Sequence, residues 1–391
     1  MRIIMRHLDQ HSVRRQPWLV LLGLLLAPTL GRAADPIDPQ WRLPLTVEDL
    51  AATRGKVSDG PSDGPRQFRW TVSLSGRKPK ASLTIPTKDA KGADLLVFLE
   101  AKPGKPLPLQ LTLSARDGQD EARELVTAKE DPIGRQRSLI LPKVAGQEGA
   151  TLTVSAEFPE GADDDATTGV TLERLQVFRI KPGTRPDAWM IVGASINQAA
   201  FAKPDRFWSL VRERHPEADP LLVRMAVGGW ITRNAIDRGP EFLRRHPEVR
   251  TVMIHIGGND VSRHRPYPSG ADNLRADLTK LVDLLKGDGR QVYLSRLSYR
   301  AYKNRDPVPP ESNGSLPYNL NVYDPLIRKA CPTFIDNETG LGRMDPYSAF
   351  RDHPEELKPD GVHNLPAGSD RWLKLWIDAV GPLVYPTAPG T

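Results

Sequence analysis

The chain has 391 residues, which exceeds one average domain and favours two. Its formal net charge is +6, but residues 1–34 hold five arginines and one aspartate, so the remainder carries only about +2 with both signs mixed along its length. This small excess of positive charge argues against a nucleic-acid partner. The single cysteine, Cys331, excludes an intrachain disulfide.

The first 34 residues have the features of an export signal. A basic, polar stretch precedes the apolar run Trp18–Ala27, and small residues follow as far as Ala34. The apolar run is short for a bilayer span, and small residues are what a signal peptidase requires. We therefore predict cleavage near Ala33 or Ala34, export to the periplasm or the extracellular space, and no stable membrane anchor. A retained anchor is the alternative.

Residues 36–183 show the period-two pattern of β-strands. Within 67–75, aromatic or aliphatic residues occupy every second position from Phe68 to Leu74. Similar strands, separated by turns rich in Pro, Gly and Asp, are predicted at 94–101, 109–115, 138–141, 151–158 and 170–180. Short strands at this spacing are typical of an all-β sandwich or jelly roll, which we expect to form an accessory domain over 36–183.

Residues 187–382 show a different pattern, in which apolar strands alternate with amphipathic helices. Strands are predicted at Trp189–Gly193, Leu221–Val227, Thr251–Ile256, Gln291–Leu297 and Thr333–Ile335. Helices are predicted at Asp205–His215, Arg233–Arg245, Ala271–Lys286, Asn319–Lys329 and Gly368–Val380. This alternation predicts an α/β domain with a doubly wound, flavodoxin-like parallel sheet, in which ligands bind at the carboxyl ends of the strands.

Small and polar residues stand at these predicted strand ends. The first strand is followed by Gly193-Ala194-Ser195, the second by Gly228-Gly229-Trp230 and the third by Gly257-Gly258-Asn259-Asp260, while Asp360-Gly361-Val362-His363 precedes the last helix. Because the carboxyl ends of parallel strands meet at one edge of a sheet, we expect these segments to form a single site.

This set contains each group that acyl transfer requires: a nucleophile, a base, a group that orients the base and donors for the oxyanion. Ser195, at a strand-to-helix turn, is the candidate nucleophile and His363 its base. Asp360, three residues before the histidine, can hold the imidazole Nδ1–H and fix the tautomer. The backbone N–H groups of Ser195 and Gly229 and the side-chain amide of Asn259 can bind the oxyanion.

The four motifs together resemble those of the SGNH, or GDSL-like, hydrolase superfamily, over about residues 187–382. The resemblance does not extend to the amino-terminal half. It implies a serine esterase with the roles just described and with neither a metal nor an organic cofactor. The sequence departs from the family at Ala194, where aspartate is usual, a change that bears on local hydrogen bonding more than on the triad. In the second motif either Gly228 or Gly229 can be the donor; we favour Gly229, which is closer to Trp230.

Five other histidines beyond residue 34 are less suitable as the base. His255 lies within a predicted buried strand and is expected to be a packed core residue. His215 and His246 precede prolines at helix ends, where capping or exposure is expected. His264 follows the Asn-Asp turn and is a candidate for the pocket wall, whereas His353 stands next to an aspartate, and adjacent side chains point apart in an extended chain.

Three features outside the four motifs could also belong to a functional site: a cysteine, an acidic stretch and two irregular segments. Cys331 follows a helix-like stretch and is expected to be buried and inert. The acidic stretch 160–165 lacks the spaced oxygen ligands of a calcium loop and is expected to be a solvated turn. Two long irregular segments, 298–317 and 337–358, are either part of the site or surface loops.

The sequence therefore predicts an exported serine esterase that hydrolyses a small acyl ester, with acetyl the favoured group. An acylated carbohydrate substrate is implied by the resemblance, since export and a β-sandwich before an SGNH domain are common among polysaccharide deacylases. A lipase, an aryl esterase or a sugar O-acyltransferase would use the same site. A possibility from another class is a non-catalytic polysaccharide-binding protein with a vestigial hydrolase domain, against which the intact set of site residues argues.

Overall fold

The computed structural model describes residues 41–42, 45–59, 67–75, 80–87, 93–102, 110–115, 132–141, 151–157, 167–184, 186–263, 267–301 and 315–386. They belong to one compact unit that spans Pro36–Thr391. The predicted export signal, the acidic stretch 160–165 and His264 lie outside the described residues. Among the helices described, none has both the length and the apolar character that a membrane span requires.

Antiparallel strands occupy the first part of the described chain. They are β1 (Trp41–Arg42), β2 (Ala51–Ala52), β3 (Lys56–Asp59), β4 (Phe68–Ser75), β5 (Lys80–Pro86), β6 (Asp94–Ala101), β7 (Gln110–Ala115), β8 (Gln136–Leu141), β9 (Thr151–Glu157) and β10 (Thr167–Ile180), with the short helix α1 (Pro132–Arg135) before β8. One sheet has the order β3-β4-β10-β6-β8, with β1 paired to β10, and the other has the order β2-β5-β9-β7. All of these pairings are antiparallel.

Strand β6 is buried on both faces, which explains why its sequence is almost continuously apolar. Leu95, Val97 and Leu99 lie in a hydrophobic core that both antiparallel sheets share. Leu96 and Phe98, on the opposite face, lie in the larger core of the remaining chain. The first antiparallel sheet therefore packs on both sides. The accessory β-sandwich domain over 36–183 stays a prediction, because the described strands cover only part of that range.

A four-stranded parallel sheet follows. Its strands are β11 (Ala188–Gly193), β12 (Leu221–Ala226), β13 (Thr251–His255) and β14 (Gln291–Leu294), in the order β12-β11-β13-β14. Four predicted strands and their parallel arrangement are confirmed. The fifth, Thr333–Ile335, is wrong: Pro332–Phe334 forms a 3-10 turn, and Ile335 makes only an isolated bridge to Gly342. Proline favours the first position of a helical turn because its φ is already set and its missing N–H is not needed there.

The helices that alternate with these strands are α2 (Ser195–Ala200), α3 (Pro204–Arg214), α4 (Thr232–Arg245), α5 (Gly258–Arg263), α6 (Ala271–Lys286), α7 (Ser315–Tyr318), α8 (Asp324–Ala330), α9 (Pro346–Arg351) and α10 (Pro366–Val384). The predicted apolar face of α6, from Leu274 to Leu285, is buried. The helix predicted over Asn319–Lys329 is divided: Asn319–Tyr323 is a π-helical segment between α7 and α8. The predicted α/β fold class is thus present as a mixed structure with one parallel sheet and antiparallel sheets.

Buried polar groups join the antiparallel and parallel sheets at β12, the outer strand of the parallel sheet. The Gln136 side chain accepts from the Arg224 backbone N–H at 3.1 Å and donates to its carbonyl at 2.9 Å. A side-chain amide thus satisfies backbone groups at an otherwise open sheet edge. The buried Glu100 carboxylate pairs with Arg174, at 2.8 Å, and with the Arg224 guanidinium. These contacts hold the strand that leads to Gly228.

Three residues considered as chemical candidates are core residues. His246 caps the carboxyl end of α4, which was one of its two expected roles, but it is fully buried rather than exposed: its Nδ1 lies 2.8 Å from Ser138 Oγ, on a strand far away in sequence. His255 is confirmed as a packed core histidine, 2.8 Å from Ser295 Oγ, and burial lowers its pKa to about 3. Cys331 is buried as expected, and burial raises the pKa of its thiol.

Candidate active site

Ser195 is the first residue of α2 and follows the interior strand β11 after one intervening residue. Gly193, at the end of that strand, allows the backbone to lie close to the neighbouring strand β13. A Cβ at position 193 would be only 2.4 Å from the His255 carbonyl oxygen. The buried Asn197 donates from Nδ2 to the Val192 carbonyl at 2.9 Å, which fixes the turn between strand and helix. Ser195 therefore lies at the carboxyl end of the parallel sheet, as predicted.

The segment Asp360–His363 folds back on itself. The Asp360 Oδ1 accepts hydrogen bonds from the backbone N–H groups of Val362 and His363, each at 2.9 Å. Its Oδ2 lies 2.7 Å from His363 Nδ1. The other ring nitrogen of His363, Nε2, lies 2.8 Å from Ser195 Oγ. The structure thus joins Ser195, His363 and Asp360 by hydrogen bonds in the order expected of a nucleophile, a base and an orienting carboxylate.

The electrostatics of this group favour one tautomer of His363. Burial tends to raise the pKa of the Asp360 carboxyl, but hydrogen bonds from His363 and from the Val362 N–H outweigh it and hold that pKa below its usual range. A charged carboxylate beside Nδ1 keeps the ring hydrogen there. Nε2 then has a free lone pair for the Ser195 hydroxyl proton.

The loop after β12 lies beside the nucleophile. A Cβ at Gly228 would be 4.0 Å from the Ser195 Cβ. The Gly228 N–H donates to the Gln198 side-chain oxygen at 2.8 Å, so this donor is already engaged. Gly229 has a φ of +81°, a conformation that glycine adopts readily and other residues adopt only with strain. The choice of Gly229 rather than Gly228 as the backbone donor to an oxyanion stays a prediction.

The loop after β13 is tied to the loop after β12. The Asn259 side chain donates from Nδ2 to the Trp230 carbonyl at 2.9 Å. A side-chain amide has two N–H groups, so this bond orients the amide and leaves its second N–H for another acceptor. Next to it, the Asp260 carboxylate accepts the Thr232 N–H at 3.0 and 3.2 Å, at the start of α4. Burial raises the pKa of Asp260.

Arg300 and Ala301 link the loop after β13 to the segment Asp360–His363. The sequence did not decide whether this part of 298–317 belongs to the site. Its guanidinium donates to the Gly258 carbonyl at 2.6 Å and to the Ser262 hydroxyl. The next residue, Ala301, donates its N–H to the Gly361 carbonyl at 2.9 Å, within the histidine segment. The start of the irregular segment 298–317, as far as residue 301, is therefore part of the site, while residues 315–317 belong to α7 and residues 302–314 lie outside the described residues.

Two residues that sequence reasoning did not single out are Asn197 and Gln198. Ala194, at the cap of α2, supplies no side-chain hydrogen bond to the helix. Asn197 instead anchors the helix to β11, and its Oδ1 accepts the Trp372 indole N–H at 2.9 Å. The sequence offers one indication of both residues, which is that two amide side chains follow each other shortly after Ser195. The sequence alone does not tell whether such side chains face the solvent or the site.

No protein-family model matches the sequence. No curated protein matches it either. Solved structures do. The YxiM protein of Bacillus subtilis is 15% identical, with 90% of this chain and 94% of that chain covered and a TM-score of 0.43. The acetylxylan esterase Axe2 of Geobacillus stearothermophilus is 20% identical, with 50% and 94% covered and a TM-score of 0.38. The esterase EstA of a Pseudoalteromonas species is 15% identical, with 50% and 97% covered and a TM-score of 0.37. Axe2 and EstA are both esterases.

Proposed function

We propose that this protein is an exported serine esterase that removes a small acyl group, acetyl above all, from a carbohydrate. The observation that carries the proposal is the chain of hydrogen bonds from Ser195 Oγ to His363 Nε2 at 2.8 Å and from His363 Nδ1 to Asp360 at 2.7 Å. A bystander serine at a turn has no need of a histidine that a carboxylate holds in one tautomer.

The reaction follows from this geometry. Ser195 Oγ attacks the ester carbonyl carbon while His363 Nε2 takes the hydroxyl proton. The Ser195 and Gly229 N–H groups and the Asn259 amide stabilise the oxyanion. When the tetrahedral intermediate collapses, the C–O bond to the sugar breaks, and His363 returns its proton to the leaving oxygen. Water then attacks the acyl-enzyme with His363 again as base, which releases the carboxylic acid and restores the Ser195 hydroxyl.

The export and the carbohydrate substrate are part of the proposal on the basis of the sequence alone. The basic and apolar pattern of residues 1–34 supports export, and the resemblance to SGNH hydrolases that follow a β-sandwich supports an acylated polysaccharide. The same groups would serve a lipase, an aryl esterase or a sugar O-acyltransferase, because only the leaving group and the acceptor differ.

The first experiment compares hydrolysis of para-nitrophenyl acetate by the wild type and by Ser195→Ala. We expect the variant to lose at least about 10³-fold in kcat. Ser209→Ala, at an exposed serine of α3, is the matched control and should retain wild-type rates. Equal rates from wild type and Ser195→Ala would reject the esterase and favour the non-catalytic, polysaccharide-binding alternative.

The second experiment identifies the ester. Purified protein is incubated with a panel of acetylated polysaccharides and, in parallel, with long-chain lipid esters and aryl esters. We expect acetate release from at least one polysaccharide and little hydrolysis of long-chain esters. Preferred hydrolysis of the lipid esters would favour the lipase instead, and transfer of acetyl to an added sugar would identify an acyltransferase.

A further inference from the structure

A cavity next to the proposed oxyanion donors has no part in the chemistry described so far. It has a volume of about 460 Å³, within the range of small-molecule sites. It lies where α4 and α6 approach each other, and its wall includes Ile231, Arg233, Asp260, Asn273, Asp277 and Tyr318.

The cavity shares its wall with the two loops that carry the proposed oxyanion donors. Ile231 follows Trp230 directly, and Asp260 follows Asn259 directly. The Trp230 carbonyl accepts the Asn259 side-chain N–H at 2.9 Å, and Asp260 accepts the Thr232 N–H. The segments that carry the proposed donors therefore continue directly into the cavity wall, and the position of that wall is coupled to that of the donors.

The chemistry of the wall suits neutral hydroxyl groups. Asp277 and Asn273 are hydrogen-bond acceptors, while Asn273 and Arg233 are donors, so a hydroxyl that both donates and accepts finds partners here. The Asp277 Oδ1 lies 3.5 Å from Arg233 Nη2 at the surface. Because Asp260 also lines the cavity, the wall contains two carboxyl groups and one guanidinium group. That balance disfavours an anionic ligand.

An exposed aromatic ring lies behind the wall residue Tyr318. Tyr318 lines the cavity but is only 1% exposed, and it packs edge-on against Tyr267, with the ring centroids 5.6 Å apart. Tyr267 is 41% exposed, one of two large hydrophobic residues exposed among the described residues. Exposed aromatic rings beside polar donors and acceptors are amphipathic contact surfaces.

We infer that this cavity is a carbohydrate subsite, which holds a neutral sugar unit of the substrate while its acyl ester is presented to Ser195. The inference rests on the proposed esterase function and specifies its substrate as an oligomer or polymer with at least one sugar unit next to the acylated one. Small aryl acetates would bypass the cavity.

The test uses the ratio of kcat/KM for an acetylated oligosaccharide to kcat/KM for para-nitrophenyl acetate, measured with the full chain. In Asn273→Ala and Asp277→Ala we expect this ratio to fall about 10-fold each, mostly through KM, because a sugar hydroxyl loses its partner. Asp272→Ala is the matched control: this aspartate lies on the same helix, also pairs with an arginine, and does not line the cavity. Its ratio should stay at the wild-type value.

A binding measurement separates recognition from turnover. Calorimetric titration of the Ser195→Ala protein with the acetyl-free oligosaccharide should detect binding that Asn273→Ala, introduced in the same background, weakens by a similar factor. An unchanged kcat/KM ratio in both cavity variants, together with unchanged binding in Asn273→Ala, would overturn the subsite even where wild-type esterase activity is present. Absence of any esterase activity in the wild type would reject the proposed function itself.

Discussion

The Asn197 Oδ1 accepts a hydrogen bond from the Trp372 indole N–H at 2.9 Å, and both side chains are buried. This contact joins α2, which begins with Ser195, to α10, which begins three residues after His363. Because Asn197 also donates to the Val192 carbonyl, one side chain connects the strand, the nucleophile's helix and the helix behind the base. The separation of Ser195 and His363 depends on this connection.

Asn197→Ala should therefore reduce activity beyond its effect on folding. The variant leaves the buried Trp372 indole N–H unpaired, at about 1–3 kcal/mol, and lowers the melting temperature. A shift of about 1 Å between nucleophile and base can cost about 100-fold in kcat. Asn319→Ala is the control, because Asn319 is also buried and also bonds backbone groups, those of Leu297. Both variants are assayed at a temperature at which each is folded. An equal loss of kcat in the two would mean that Asn197 acts only through the stability of the fold.

Asp360→Asn should cost about 10³-fold or more in kcat with the fold intact. An amide at this position can donate to the imidazole and favours the wrong tautomer. Hydrogen bonds from His363 and Val362 hold the pKa of Asp360 below its usual range, so the wild-type group is a carboxylate that accepts the Nδ1 hydrogen of His363. Asp352→Asn, at an exposed aspartate paired with Arg351, is the control. A loss of less than about 10-fold would mean that another group orients the base.

The residues that do the proposed chemistry could be predicted from the sequence because topology alone brings them together. Ser195, Asn259 and Gly229 each follow a strand of one parallel sheet, and the Asp360–His363 spacing allows the carboxylate to reach the imidazole. Their partners were not predictable in this way, since a partner is defined by tertiary contact. Ser138, which meets His246, is 108 residues away in sequence.

The prediction of secondary structure failed at three places, and the flanking residues or an internal proline explain each. Strand β5 alternates well, but it is bounded by charged and proline-containing segments and was not predicted. The strand predicted at Thr333–Ile335 was wrong because Pro332 favours a helical turn over extended pairing. A single regular helix was predicted over Asn319–Lys329. The chain there is helical, but its first part, Asn319–Tyr323, is a π-helical segment that precedes Pro325.

Gly229→Ala tests the assignment of the oxyanion donor. A φ of +81° strains an alanine, and the loop is expected to rotate its N–H away, with a loss of about 100-fold in kcat. Gly183→Ala is a matched control, because Gly183 has a φ of +75° with open space around it and lies away from the site. Both variants should lose similar stability, and only Gly229→Ala should lose activity. Retained activity in Gly229→Ala would indicate that the Gly228 N–H, rather than that of Gly229, binds the oxyanion.

Glu100→Gln should destabilise the whole described unit. Burial acts to raise the pKa of Glu100, but Arg224 and Arg174 outweigh it and lower that pKa, so the charged form is the stable one. Removing the charge leaves two guanidinium groups poorly compensated, at a cost of about 3–5 kcal/mol in the free energy of unfolding. Glu157→Gln, which breaks the exposed pair with Lys80, should cost less than about 1 kcal/mol. Denaturant titration measures both, and similar costs would show that the buried network is dispensable.

Asp187→Asn should change how stability depends on pH. Burial raises the pKa of Asp187 from 3.8 to about 7, against hydrogen bonds from Tyr385 and Trp189 that lower it. Between about pH 4 and pH 7 the native carboxyl keeps a proton that the unfolded chain loses, so this group makes the free energy of unfolding fall as pH rises, by at most about 1.4 kcal/mol per pH unit. The pKa of His255, lowered by burial to about 3, has the opposite effect, because the unfolded chain binds the proton there.

The two opposing slopes make the variant informative. In wild type the contributions of Asp187 and His255 to the unfolding free energy partly cancel between about pH 4 and pH 6.5. With asparagine at 187, the falling contribution of Asp187 is lost and the rise from His255 is no longer offset, so stability should increase with pH more steeply than in wild type. Asp283→Asn, at an exposed position of α6, should reproduce the wild-type profile. Parallel profiles for Asp187→Asn and wild type would mean that the buried carboxyl is charged in the native protein, and that its hydrogen bonds from Tyr385 and Trp189 outweigh the cost of its burial.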